Sequence, residues 1–121
     1  MQSSDFQQYF NFFPNLKNNF KGVFSIDKIP KALSIRQFCV INTDLSTNSG
    51  VHWFIILKIE KNCLEIFDSL GFDIEKINLF KHHCKIKVKY LHINESVFQP
   101  NDSIACGAYC VFFAIQRYNL D

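Results

Sequence analysis

The chain has 121 residues, a formal charge of +2 and 48% apolar residues, 14 of them Phe. That is enough apolar mass for one folded domain over residues 1–121 and too little for two. The balanced charge argues against a dedicated nucleic-acid binder, and the most apolar stretch, Val51 to Leu57, is far shorter than the ~20 residues a membrane span needs.

Taken in chain order, Ser3 or Ser4 caps a short helix over Asp5 to Phe13, which Pro14 stops. "NLKNNFKG" is polar and turn-rich, and Val23 to Ile29 is a short apolar stretch closed by Pro30. Phe38 to Asn42 reads as a strand, and "TDLSTNSG" as a loop. "VHWFIILKI" is apolar at both parities, the pattern of a strand covered on both faces. Glu60-Lys61-Asn62 turns tightly into "CLEIFD", so these two segments are expected to form an antiparallel hairpin.

Asp73 starts a predicted helix through Phe80. "KIKVKYL" alternates, which places Ile86, Val88 and Tyr90 inward and Lys85, Lys87 and Lys89 outward on a predicted edge strand. Asp102 or Ser103 is the N-cap of a last helix that is apolar on nearly every side through Ile115, and so is expected to be central and buried. The class is α+β, with a mixed, mostly antiparallel central sheet flanked by helices.

Five cysteines (Cys39, Cys63, Cys84, Cys106 and Cys110) are an odd number with irregular spacing. No basic start and apolar stretch follow Met1, so the expectation is an intracellular, non-secreted protein with reduced thiols. "KHHCK" crowds two His and a Cys onto adjacent positions, a poor arrangement for one metal, and no metal site is expected.

"QPNDSIACGAYC" carries the chemistry. With the cap at Ser103, Cys106 falls in the first turn of a helix, where unpaired N–H groups and the dipole favour a thiolate. Gly107 leaves room beside the sulfur for a substrate backbone. A cysteine nucleophile needs a base, and the base needs an orienting group. In a hairpin turning at Lys61, the start of the first strand lies beside the end of the second, so His52 and Asp68 are expected neighbours. Gln99 could add its amide to the Cys106 N–H as an oxyanion donor. Singly, each residue is more often structural: a core cysteine, a satisfied histidine, a turn aspartate. Their convergence on one sheet end is what favours the catalytic reading.

"GVHWFIIL", "IFDSLGF" and "QPNDSIACGAYC", with the weaker "NNFKGVFSIDKIP", resemble the adenovirus-type cysteine protease (adenain) family, in the clan of the ubiquitin-like-protein proteases. The resemblance covers about Asn19 to Arg117. It implies an adenain-like fold with a buried helix carrying the nucleophile at its N-terminus. His52 then matches the base, Asp68 the acidic third member, Cys106 the nucleophile, Gln99 the oxyanion-hole amide and Trp53 an aromatic of the substrate cleft. Adenovirus enzymes commonly carry Glu where this chain has Asp68, as the ubiquitin-like-protein proteases do; either carboxylate can orient an imidazole.

The implied activity is a cysteine endopeptidase that cleaves precursor structural proteins of a virus or mobile element at glycine-containing sites. It would act as a monomer inside a host cell, its nucleus or a virion. The alternatives are a peptidase for ubiquitin-like proteins and a catalytically silent peptide binder. An activating viral peptide or DNA as cofactor is implied by the resemblance alone, and no residue here requires either. Adenovirus enzymes continue through further helices after the nucleophile, so the resemblance bears on the core chemistry more than on the peptide-dependent regulation.

Overall fold

The computed structural model describes residues 3–43, 52–71, 74–94 and 106–119, and the side chains of these except Cys106 and Asn119. The expected loop beyond Thr43, the helix start at Asp73 and the caps at Asp102 or Ser103 lie outside the described residues.

Helix α1 (Ser3–Phe10) presents Phe6 and Phe10, four positions apart, on one fully buried face. It is already turning at Asn11, so Pro14 does not end it. Pro14 instead opens a second helix, α2 (Pro14–Asn19), within the segment expected to be loop. The ring suits that position because its missing N–H is one that a first helical turn leaves unpaired anyway. The side-chain amide of Asn19 donates to the Asn15 carbonyl at 2.7 Å, and Leu16 is buried.

Five strands follow: β1 (Phe20–Ser25), β2 (Phe38–Asn42), β3 (Trp53–Glu60), β4 (Cys63–Phe67) and β5 (Tyr90–Ile93). They lie side by side in chain order in one mixed sheet. The β3–β4 hairpin turns through Lys61-Asn62 as expected, with Glu60 opposite Cys63. The strand pairs divide evenly, which corrects the expectation of a mostly antiparallel sheet. β2–β3 and β3–β4 are antiparallel, whereas β1–β2 and β4–β5 are parallel. The cause is that neither edge pair is joined by a hairpin. A 3₁₀ turn (Ile26–Lys28) and a loop carry β1 to β2, and helix α3 (Ile74–His83) carries β4 to β5.

Both crossovers step the same way across the sheet from strands pointing the same way. The right-handed preference for such connections therefore sends both to one face. Ile26, Ile29 and Leu33 from the first and Phe80 and Ile86 from the second pack there, under Phe54, Ile56 and Leu64. The opposite face is covered by α1, α2 and helix α4 (Cys106–Asn119), over Phe38, Val40, Trp53 and Ile55. Strands β2 and β3 are thus buried on both faces.

Two further expectations change. β5 begins only at Tyr90, because the backbone N–H groups of Lys89 and Tyr90 both donate to the Asn62 carbonyl and start the ladder there. Ile86 is buried, but Tyr90, expected inward, is 66% exposed on this edge strand. Helix α4 packs on one sheet face and is not central: Cys110, Val111 and Ala114 are buried, while Phe112 is 60% exposed.

Phe38, fully buried, touches the rings of Phe10, Phe20 and Tyr118 and so ties α1, β1 and α4 to the sheet. Phe38→Ala is expected to lower stability by about 3–5 kcal/mol in urea titrations, the usual cost of a large unfilled cavity. A loss below about 1 kcal/mol would contradict this packing.

Candidate active site

The strand register brings His52 and Asp68 to one end of the sheet. His52 immediately precedes β3, and its carbonyl accepts from the Thr43 N–H at 3.0 Å, prolonging the β2–β3 ladder. Asp68 immediately follows β4. The imidazole Nε2 of His52 lies 2.7 Å from Asp68 Oδ1, with the carboxylate fully buried and the imidazole nearly so. A carboxylate accepts, so Nε2 is the donor, and in the neutral ring Nδ1 carries the lone pair.

A buried carboxylate needs partners for both oxygens. "DSLG" supplies the first by local geometry: the Leu70 N–H donates to Asp68 Oδ1 at 2.9 Å, and the Gly71 N–H to the Asp68 carbonyl at 2.9 Å. Gly71 has φ of 84°, a conformation that other residues rarely adopt, and closes the turn. From α3, the Lys76 ammonium donates to Asp68 Oδ2 at 3.1 Å and to the Gly71 carbonyl at 3.0 Å. From the end of β5, Asn94 grips the Asp68 backbone twice. Its Oδ1 accepts from the Asp68 N–H at 2.8 Å, and its Nδ2 donates to the Asp68 carbonyl at 2.6 Å.

Lys76 and Asn94 escaped the sequence reading. Asn94 reaches the end of the sheet where Asp68 sits because β5 runs parallel to β4 with Ile93 opposite Ile66, a pairing that no local pattern announces. Lys76 carries no signal either, because its approach depends on how α3 docks.

The backbone of α4 points its start toward the same end. Arg117 donates to Glu65 at 2.8 Å, and the Phe113 ring stacks on Phe67 at 4.5 Å. Four helical residues thus match two strand residues, each about 6 Å. Continuing from Phe113 to Cys106 carries the helix about 10 Å further, past Phe67 in the direction of Asp68. The far end is anchored by Tyr118, whose hydroxyl donates to the Arg36 carbonyl and whose ring lies under the Arg36 guanidinium at 4.8 Å. Gln99 lies outside the described residues, and so does the side chain of Cys106.

Trp53 is 8% exposed, with its ring edge-on to Phe6 at 5.1 Å. It packs in the core beneath α1. A cavity of about 230 Å³ opens beside the imidazole, lined by His52, Ile26, Thr43, Phe54, Leu70, Lys76 and Leu79. The larger hollow of about 540 Å³ between α3 and β5 is lined by neither His52 nor Asp68.

Three of the described thiols are held above the ordinary range, which disfavours the thiolate. Burial pushes Cys39 far above the ordinary thiol range, helped by the nearby Cys84. Burial, then Glu60 and Glu65, raise Cys63, and burial raises Cys84 against the opposing pull of the Ile86 N–H and Lys85. Among the described residues no group of three His, Cys, Asp or Glu could hold a metal, and no helix is long and apolar enough to cross a membrane. No protein-family model matches the chain, and no curated protein matches it in sequence.

Asn94→Ala removes both side-chain bonds to the Asp68 backbone. It is expected to cost about 1–3 kcal/mol in a denaturant melt, the range for stranding buried polar groups. Stability unchanged within about 0.5 kcal/mol would show that water replaces the clamp.

Proposed function

We propose that this chain is a cysteine endopeptidase with an adenain-like fold, in which His52 is the base, Asp68 its orienting acid, Cys106 the nucleophile and Gln99 an oxyanion donor. The observation that carries the reading is the buried 2.7 Å contact between His52 Nε2 and Asp68 Oδ1, at the sheet end toward which α4 directs its first residue. In this reading the imidazole is oriented through Nε2, and its Nδ1 is the nitrogen that exchanges a proton with the thiol.

The thiol of Cys106 gives its proton to Nδ1 as sulfur attacks the scissile carbonyl carbon. The oxyanion so formed accepts from the Cys106 N–H and the Gln99 amide. The C–N bond then breaks as His52 returns the proton to the leaving amine. Water, deprotonated by His52, hydrolyses the thioester to the acid and restores the thiol. Gly107, beside the sulfur, leaves the approach open to a substrate backbone. Substrates are precursor proteins cut at glycine-containing sites, in keeping with the family resemblance.

The test is incubation of the protein with candidate precursor proteins, followed by mass analysis of new termini. Cleavage next to glycine is expected, with loss in Cys106→Ser and in His52→Gln. Gln99→Ala should lower kcat by ~10²–10³-fold with little change in KM, because an oxyanion exists only along the reaction path. A folded His52→Gln protein that cuts at the wild-type rate would remove the base. Binding of extended peptides without any new terminus would replace the enzyme by a silent peptide binder.

A further inference from the structure

Asp68 does not serve His52 alone. Its Oδ1 takes the imidazole and its Oδ2 takes the ammonium of Lys76 at 3.1 Å. Lys76 is held in place from a second side by the Gly71 carbonyl and lines the cavity that the imidazole also lines. A cation and an imidazole therefore share one fully buried carboxylate, with the Lys76 side chain 28% exposed.

We infer that Lys76 is a positioning residue that lowers the basicity of His52. By occupying Oδ2 it fixes the plane of the carboxylate, and by its charge it opposes a second positive charge on the imidazole. The carboxylate alone would favour a resting imidazolium, which cannot take a proton from a thiol. With the ammonium present, the neutral, proton-accepting ring is favoured instead. Among the described residues, the other charged or histidine side chains on the elements packed around the pair are Asp27 and Lys28 on the 3₁₀ turn, Glu75, Lys81, His82 and His83 on α3, and Lys58, Glu60, Glu65 and His92 on β3, β4 and β5. None of them lines the cavity at the imidazole. A purely structural ion pair would leave the titration of His52 unmoved, which separates the two roles.

The inference rests on His52 as the base of the proposed site, and its test does not depend on cleavage. The His52 ring signals are followed by NMR against pH in the wild type, in Lys76→Met and in Lys76→Arg. Lys76→Met should move the His52 midpoint up by about one pH unit. Lys76→Arg, which keeps the charge, should restore it. Where a peptide is cut, the acid limb of kcat/KM should move up in Lys76→Met by the same amount. Lys76→Gln, which keeps a donor and loses the charge, is read the same way if Lys76→Met melts. A folded neutral variant with an unmoved His52 midpoint overturns the inference, and so does loss of the fold in both neutral variants. A wild type that cleaves nothing would sink the protease reading and leave the charge coupling standing. An unmoved midpoint would do the reverse.

Discussion

A carboxylate taken fully out of water costs several kcal/mol unless its oxygens are met by donors. Asp68 is such a group, and four parts of the chain converge to meet it. His52 from the start of β3, Leu70 from the turn after β4 and Lys76 from α3 meet its carboxylate, and Asn94 from the end of β5 holds its backbone. Two of these come only through the crossover that makes β4 and β5 parallel. The parallel edge pairing is thus more than a topological detail. It delivers a helix and a strand end to the point where the β3–β4 hairpin opens.

The same geometry divides labour between the two faces. The crossovers occupy one face and supply Ile26, Leu70, Lys76 and Leu79 around the imidazole. Helix α4 occupies the other, with its far end tied to Glu65 and Arg36, so that its start runs out toward the His52 end. Trp53 faces α1 while its neighbour Phe54 faces the crossovers, as alternation along a strand requires. A site at a strand end can thus be reached from both layers without opening the core.

How much of this was legible in the sequence follows from what each signal depends on. β2, β3 and β4 were readable because double-sided burial and a two-residue turn leave plain local patterns. The His52–Asp68 contact was readable for the same reason, since hairpin register alone brings the two together. Pro14 suits a helix stop and a helix start equally well, so nothing local announces α2. The alternation in "KIKVKYL" suggested a strand, but Asn62 sets where the ladder begins, and that is a tertiary fact. The apolar outer face of α4 was read as burial all round, although Phe112 stands exposed. Lys76 was out of reach because no sequence pattern records how a helix docks.

The account turns on His52 drawing a proton from Cys106, and the rate at which Cys106 is alkylated measures that most directly. Peptide mapping after brief alkylation at neutral pH, in wild type and in His52→Gln, reads the nucleophilic reactivity of each of the five cysteines. Cys106 is expected to be labelled first, and its rate to fall by about tenfold or more without the imidazole, because no base then takes the thiol proton as sulfur attacks. Labelling that favours Cys39, Cys63, Cys84 or Cys110, or a Cys106 rate indifferent to His52, would contradict it.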